Sequence, residues 1–212
     1  MKKIVSLISG GFDSPIATYL MIQQNYLPVC VSFITNYENV DKFKEKILKI
    51  AKVLSRSLGD QNLKVYLIEH NSNLKIFKEK CERKLTCILC KRFMIRIAIK
   101  IGELEGTNLI VTGDILGEQA SQTLDNIYAY QSVLENACII RPLIGFDKLD
   151  VLKINKKIGL YDLCSEKSDS CVHFPTYPET HAKLSEIKAA EKNLPLDTLI
   201  EDSFAKVELY EI

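Results

Sequence analysis

The sequence lacks several features that would each indicate a particular class of protein. Its longest apolar runs fall far below the roughly 18 residues that a helix needs to cross a bilayer, and its N-terminus has the pattern of a strand, not of a signal peptide. An excess of charge of one sign is also lacking, since the chain has 28 Lys and Arg and 27 Asp and Glu. The whole chain therefore lacks the excess of positive charge that is typical of nucleic-acid-binding proteins. Repeats and low-complexity linkers are absent. These absences predict an ordinary globular protein of the cytoplasm without a membrane partner.

Short apolar runs alternate with helical patterns along the chain. With 212 residues, 47% of them hydrophobic, the chain can bury a sizeable core. Runs rich in Val, Ile and Leu suit strands that are buried on both faces, and we expect strands at residues 4–8, 29–34, 64–68, 109–112 and 138–140. Near the C-terminus, residues 180–193 and 196–204 have helical patterns. The alternation predicts an α/β fold, a doubly wound parallel sheet of about five strands with helices on both faces.

The first predicted strand leads into a glycine loop that suits an anion. This loop, Ser9-Gly10-Gly11-Phe12-Asp13-Ser14, precedes a helix. Its glycines let a ligand approach the main chain, and the first N–H groups of the helix are unpaired. The loop lacks the lysine of a Walker A sequence. Asp13 would repel phosphate unless a divalent cation lay between them. The sequence therefore predicts a cation-assisted phosphate site, and a plain strand–turn–helix corner is the alternative.

A C-x-x-C pair indicates metal or sulfur chemistry. Seven cysteines are a large and odd number for a cytoplasmic chain, so an even disulfide framework is not expected. Cys87 and Cys90 stand just ahead of a helical stretch. The helix N-terminus and the flanking Lys91 and Arg92 favour thiolate over thiol. Alone, the pair fits a redox pair, half of a zinc site, part of an iron–sulfur site or two packed thiols.

Packing is the better explanation for four other cysteines. Cys30 lies inside one predicted strand and Cys138 near another, and buried thiols of this kind usually belong to the core. Helix packing is favoured for Cys81 and Cys164, with a spare metal ligand as the alternative. His173 and His181 are expected to be ordinary surface or capping residues, with a role as ligand or proton donor as the alternative.

Residues 74–102 are locally basic, with nine Lys and Arg against two Glu. A positive surface of this kind attracts a phosphate backbone through counterion release. A solvated helix face is the alternative interpretation.

Four segments besides the glycine loop carry a family resemblance. They are Lys91-Arg92-Phe93-Met94, Val111-Thr112-Gly113-Asp114-Ile115-Leu116-Gly117-Glu118-Gln119-Ala120-Ser121-Gln122-Thr123-Leu124-Asp125-Asn126, Arg141-Pro142-Leu143-Ile144-Gly145, and the tail from Lys183-Leu184 to Glu208-Leu209. The loop has the signature of the PP-loop ATP pyrophosphatases. Together, the segments resemble the catalytic domain of the tRNA 4-thiouridine synthetases linked to thiamine biosynthesis, in their archaeal, cluster-dependent form. The resemblance covers essentially residues 1–212.

The resemblance implies a nucleotide-binding fold and its ligands. The fold is the adenine nucleotide alpha-hydrolase-like, PP-loop type, with a pyrophosphatase domain at residues 1–178 and a helical extension at 179–212 packed on it. ATP is the implied cofactor. Its pyrophosphate, with Mg²⁺, is assigned to Ser9, Gly10, Gly11, Asp13 and Ser14.

Adenosine is expected over the ends of the second and fourth strands. The backbone of Phe33 and Ile34 would contact the adenine edge, Gly113 would allow close approach of the ribose or base, and Gln119 would add a polar contact. Arg141 would steady phosphate charge after the fifth strand. Ser121 is a second candidate for a polar contact. Helix capping is the alternative for Gln119 and Ser121, and a structural ion pair is the alternative for Arg141.

The resemblance also implies a sulfur site. Cys171 occupies the position of the family's catalytic cysteine, so Asp13 and Cys171 are the expected catalytic residues. Cys87, Cys90 and Cys171 would bind a [4Fe–4S] cluster with one iron left open for hydrosulfide. In the competing mechanism, Cys171 carries a persulfide and the C-x-x-C pair resolves it or binds zinc. The expected reaction is ATP-dependent replacement of a carbonyl oxygen by sulfur, with uridine C4 of tRNA as the acceptor.

Partners follow from the same resemblance. Full-length members place a ferredoxin-like segment and an RNA-binding THUMP domain ahead of the pyrophosphatase domain, and some carry a rhodanese domain after it. The first strand begins here at residue 2, so we expect neither module in this chain and expect tRNA to be reached with a separate THUMP protein. Sulfide or a cysteine desulfurase would supply sulfur, and a homodimer is compatible with the sequence. One alternative is sulfur transfer to a small molecule or carrier protein. The other is that this chain is a non-catalytic subunit that binds ATP or a cluster and partners a separate THUMP protein.

Overall fold

One sheet organises the chain. In the computed structural model, residues 1–166 and 171–212 are described, and within them six strands lie in the order β5-β4-β1-β2-β3-β6. The strands are β1 (Lys2–Leu7), β2 (Tyr26–Ile34), β3 (Lys64–Glu69), β4 (Leu109–Val111), β5 (Cys138–Ile140) and β6 (Glu208–Glu211). The first five are parallel, which confirms the predicted doubly wound sheet. The sixth pairs antiparallel with β3.

Helices cover both faces of this sheet. They are α1 (Asp13–Gln23), α2 (Val40–Ser55), α3 (Asn71–Lys80), α4 (Thr86–Glu105), α5 (Leu124–Gln131), α6 (Lys148–Lys157), α7 (Tyr161–Ser165), α8 (Leu184–Glu191) and α9 (Leu196–Ala205). One core joins the sheet to α3, α4, α8 and α9, and two others join it to α1, α2, α6 and α7. No helix in the described ranges is both long and apolar enough to cross a membrane.

The strand order creates a crevice beside β1. From β1 the chain moves through α1 to β2 and on to β3, and it then returns through α3 and α4 to β4 on the other side of β1. The loops that follow β1 and β4 therefore leave the sheet in opposite directions. Ligands of open α/β sheets bind at such a point, outside the carboxyl ends of the strands.

The C-terminal part differs in detail from the prediction. The sixth strand was not expected, because it is a four-residue edge strand with a glutamate at each end, a pattern with little apolar signal. The helix expected at residues 180–193 is shorter and spans Leu184–Glu191. Residues 196–205 are helical, as predicted. The division into 1–178 and 179–212 stays a prediction.

Candidate functional site

Two serines fix the shape of the glycine loop. The backbone N–H of Ser9 donates to Ser14 Oγ at 2.7 Å, and the two serine Oγ atoms lie 3.0 Å apart. The N–H of Gly11 donates to Ser9 Oγ at 3.3 Å. The loop then enters α1, whose first N–H groups have no partner within the helix. The local sequence thus builds a backbone cradle of the kind that holds phosphate oxygens.

Gly113 lets the end of β4 approach this cradle. A Cβ atom on Gly113 would lie 2.5 Å from Ser14 N, 2.6 Å from Ser14 Cα and 2.9 Å from Asp13 C. Such distances are too short for any side chain. The close approach that we expected toward a ribose or base is therefore made to the protein's own helix, although Gly113 also lines the adjoining cavity.

A lysine that the sequence did not reveal binds Asp13. Lys148 Nζ lies 2.6 Å from Asp13 Oδ1 and 2.8 Å from Oδ2, and 3.5 Å from Glu118 Oε1. Lys148 is the first residue of α6, where a cation opposes the helix dipole. That unfavourable position is the signal that could have identified it. The site therefore presents a cation beside the loop as well as a carboxylate.

A cavity of about 530 Å³ brings most of the predicted site together. The predicted residues that line it are Ser9, Gly10, Gly11, Asp13, Ser14, Phe33, Gly113, Gln119 and Cys171. Ile34, Arg141, Cys87 and Cys90 do not line it, and the carbonyl of Ile34 already accepts the His70 N–H at 2.9 Å. Cys171 is 162 residues from Ser9 in sequence, so the fold, and not local sequence, joins the loop to the thiol.

Two buried oxygens of the cavity wall have no partner among the described residues. They are Ser32 Oγ at the end of β2 and Gln122 Oε1. Buried polar atoms are almost always hydrogen-bonded, so unpaired oxygens in a cavity wall indicate a polar ligand. Sequence reasoning assigned neither residue a ligand contact, since neither belongs to a local anion-binding pattern.

Asp114 organises the charges beside the cavity. Its Oδ1 accepts from Lys91 Nζ at 2.7 Å, and its Oδ2 accepts from Thr112 Oγ1 at 2.7 Å and from Arg141 Nε at 3.2 Å. Although burial alone would raise it, the charge and hydrogen bond of Lys91, with those of its other partners, hold the pKa of Asp114 at about 2. Arg141 thus makes the structural ion pair that we considered as the alternative. Its Nη2 is buried without a partner in the described part of the chain.

The C-x-x-C pair lies inside α4, not ahead of it. Burial raises the pKa of Cys87 to about 11 and raises that of Cys90 further, and the charge of Cys171 adds to both shifts. The expectation that these groups are thiolates is therefore wrong for the metal-free protein, because desolvation outweighs the helix N-terminus and the nearby cations. Nε2 of the fully buried His70 lies 3.3 Å from Cys90 Sγ, and its ring stacks on Phe93 at 5.0 Å. His70 was also missed.

Cys87, Cys90 and Cys171 are the right kind of ligands for an iron–sulfur cluster, but their side chains are not placed to share one. Thiolates are the ligands that iron–sulfur clusters and zinc select. The electrostatic effect of Cys171 on Cys87 and Cys90 shows that the three share one region. Among residues 1–166 and 171–212, however, no group of three His, Cys, Asp or Glu side chains is arranged to hold a metal ion. The thiols would have to approach one another to share a metal.

The other cysteines divide between core and surface. Cys30 is buried, as predicted, and burial raises its pKa to about 12. Cys138 is exposed, so its core assignment was wrong; it begins the three-residue edge strand β5, which has no neighbour on its outer side in the described sheet. Cys164 is buried and Cys81 packs partly against the core, as predicted. His173 is buried, not at the surface, with its Nε2 2.7 Å from Asn71 Oδ1.

The basic stretch at 74–102 is not one surface. Arg92 is 1% exposed and makes two bonds to the carboxylate of Glu191, at 2.8 and 2.7 Å. Arg96 binds the same carboxylate at 2.7 Å. These arginines join α4 to α8 and are unavailable to a phosphate backbone. The exposed members of the stretch are Lys75, Lys78, Lys80, Arg83 and Lys100.

Known protein sequences resemble this chain over most of its length. The sequence model of the family described as thiamine biosynthesis protein (ThiI) matches residues 1–196. A probable tRNA sulfurtransferase of Methanosarcina mazei is 37% identical over 203 residues, which are 95% of this chain and 49% of that protein. One of Methanocaldococcus jannaschii is 36% identical over 92% of this chain and 50% of its own length. The chain spans about half the length of these curated relatives.

Solved structures share the fold. A 4-thiouridine synthetase in complex with RNA and bound ATP has a TM-score of 0.94 and 32% identity, covering 100% of this chain and 55% of that one. NMN synthetase from Francisella tularensis has a TM-score of 0.58 at 14% identity over 95% of this chain and 77% of its own, and this likeness shows the fold alone.

Proposed function

The chain belongs to the ThiI thiamine-biosynthesis family, and we propose that it is an ATP-dependent sulfurtransferase that thiolates a uridine of tRNA. One observation carries the proposal. The glycine loop and Cys171 line a single cavity, so an activated carbon could meet a phosphate site and a sulfur site without leaving the protein. The names of the relatives and the RNA and ATP of the 4-thiouridine synthetase structure agree with this chemistry.

The loop would hold the phosphates of ATP. Its backbone N–H groups and the hydroxyls of Ser9 and Ser14 would donate to phosphate oxygens. Mg²⁺ would supply the charge that lets the Asp13 carboxylate face a phosphate. The ion pair of Lys148 with Asp13 would then loosen and leave Lys148 beside the same anion. Ser32 Oγ and Gln122 Oε1 would find their missing partners in the nucleotide.

Activation and sulfur transfer would follow in order. The uridine O4 attacks the α-phosphorus of ATP, pyrophosphate departs, and the adenylated oxygen becomes a good leaving group. A sulfur nucleophile then attacks C4 and AMP leaves. Adenylation thus splits one difficult substitution into two easier steps.

The sulfur would reach C4 from the side of Cys171. In the route we favour, Cys87, Cys90 and Cys171 would hold a [4Fe–4S] cluster, and a bound cluster would supply a site for sulfide, whose transfer to C4 needs no net oxidation or reduction. In the alternative route, a cysteine desulfurase passes persulfide sulfur to Cys171, and the terminal sulfur attacks C4 as AMP leaves. Cys87 or Cys90 then attacks the sulfur of Cys171, which releases the thiolated base and forms a disulfide that an external thiol reductant reopens. Iron and sulfide analysis of anaerobically purified protein separates the two routes.

Acceptor and partners belong to the same proposal. We propose that tRNA binds with the help of a THUMP-containing protein and that sulfide or a cysteine desulfurase supplies the sulfur. Exposed Lys75, Lys78 and Arg83 offer charge for an RNA backbone. A small-molecule acceptor, a carrier protein, a non-catalytic role and a homodimer are the other arrangements to be tested.

The experiment is an anaerobic assay with ATP, Mg²⁺, sulfide and bulk tRNA, with and without a THUMP protein. We expect tRNA-dependent pyrophosphate release and the absorbance of thiouridine in the recovered tRNA. Pyrophosphate release that ignores tRNA but responds to a small carbonyl compound would replace the tRNA proposal. Absence of ATP consumption under every condition would favour the non-catalytic role.

A further inference from the structure

Lys46 is a buried cation that the proposed reaction leaves without a role. It lies on α2 at 5% exposure, next to the buried Ile47 and one turn before Ile50. Lys42 and Lys49 on the same helix are exposed, and Lys49 pairs with Glu45. A lysine is almost never fully buried unless its charge is balanced. The position of Lys46 therefore requires an explanation that its neighbours do not.

The described contacts of its ammonium group are neutral. Lys46 Nζ donates to the carbonyl of Glu166 at 2.8 Å and approaches that of Cys164 at 3.4 Å, at the end of α7. Among residues 1–166 and 171–212, no carboxylate forms an ion pair with it. Burial lowers the pKa of Lys46, and the nearby charge of Glu166, which acts in the opposite direction, does not offset it. An ammonium has three N–H donors, so these carbonyls also leave one unused.

The glycine loop lies directly against this side chain. A Cβ atom on Gly10 would be 3.3 Å from both Cδ and Cε of Lys46 and 3.5 Å from Nζ. Gly10 lines the cavity and Lys46 does not, so Gly10 has the cavity and this side chain as its two neighbours. Charges so placed in a poorly solvated region interact strongly because little water screens them.

We propose that Lys46 is the buried counter-charge of the nucleotide's phosphates and acts across Gly10. The inference rests on the proposed function, since it needs ATP on the loop. Lys46 does not have to touch ATP; its fixed charge raises the affinity of the cradle for a polyanion and leaves the adenosine contacts unchanged. The competing explanation is structural, namely that Lys46 only fastens the end of α7.

The experiment compares ATP with adenosine, which has no phosphates, by calorimetric titration of the whole chain. In Lys46→Met, we expect the Kd of ATP to rise about tenfold or more and the Kd of adenosine to stay within about twofold, because only the phosphates sense the charge. Lys46→Arg should keep most of the affinity. Lys46→Gln retains a donor for the carbonyls but loses the charge, so it should behave like Lys46→Met. Lys49→Met is the matched control on the exposed face of α2 and should change neither Kd.

Thermal unfolding without nucleotide adds a readout that a structural role would move. If Lys46 acts through its charge, Lys46→Met should unfold at the wild-type temperature or above it, since a buried ammonium is replaced by an apolar chain of similar length. Equal weakening of ATP and adenosine, or a lower unfolding temperature rescued by Lys46→Gln, would overturn the inference in favour of the structural role. An unchanged ATP affinity in Lys46→Met would overturn it while leaving the proposed function intact. Failure of the wild-type protein to bind ATP would overturn both.

Discussion

The glycine loop, here called the phosphate side, and Cys171 with the nearby Cys87 and Cys90, here called the thiol side, differ in how far each site is preformed. At the phosphate side, hydrogen bonds between Ser9 and Ser14 already fix the loop, and Gly113 already allows the start of α1 to pack against the end of β4. At the thiol side, Cys171 lines the cavity while Cys87 and Cys90 lie outside its wall, where burial holds these two as neutral thiols, and no metal-binding group of three is formed in the described residues. The difference teaches that backbone geometry can form an anion site before the anion binds. A thiolate site forms only when a metal ion supplies the positive charge that stabilises the thiolates.

Loss of the carboxylate at the phosphate side should have the largest effect. In Asp13→Ala we expect pyrophosphate release to fall more than about 100-fold, as when one electrostatic contact of a transition state is removed. Any iron bound at the thiol side should remain, because Cys87, Cys90 and Cys171 are untouched. Pyrophosphate and iron are measured on the same preparation. Turnover near the wild-type rate would show that the loop is not the catalytic phosphate site.

A methyl group at Gly113 tests whether the phosphate side is truly preformed. Because its Cβ would lie 2.5 Å from Ser14 N, Gly113→Ala should lower the free energy of unfolding by about 1–3 kcal/mol and also weaken ATP binding. Gly145→Ala is the control, since its Cβ would meet no atom within 4 Å. Urea unfolding and ATP titration give both numbers. If the two variants are equally stable, the contact between β4 and α1 is looser than described.

The smallest expected effect is a change in how the free energy of unfolding depends on pH when the neutral thiol of Cys87 is removed. The pKa of Cys87 is about 11 in the folded protein, against an ordinary value of 9.0. Since the unfolded chain releases this proton first, the stability from the neutral thiol is present below about pH 9 and is lost as pH rises toward 11. Metal-free Cys87→Ala should lose less stability than wild type over that range, measured by urea unfolding. The matched control is Cys138→Ala at an exposed thiol. Parallel pH profiles for wild type and Cys87→Ala would refute the buried, neutral thiol.

The local sequence pattern was sufficient to predict the glycine loop but not the residues that surround it in the fold. The loop could be predicted because strand, glycines, serines and helix start are adjacent in sequence. The ion pair of Lys148 with Asp13 could not be predicted, because the two residues are 135 positions apart in sequence and only the fold brings them together. Arg92 looks like a surface cation in sequence, yet Glu191, 99 residues away, draws it into the interior. The exposure of Cys138 likewise depends on β5 being an edge strand, a fact of topology.

Cys171 offers the most direct test that one cavity serves both halves of the reaction. In a single anaerobic reaction with ATP, Mg²⁺, sulfide, tRNA and the THUMP protein, pyrophosphate and thiouridine would be measured for wild type and Cys171→Ala. We expect the variant to release pyrophosphate, because the loop is intact, and to form no thiouridine. Thiouridine formation by Cys171→Ala at the wild-type rate, or loss of pyrophosphate release together with it, would contradict the assignment of phosphate and sulfur chemistry to two sides of the cavity.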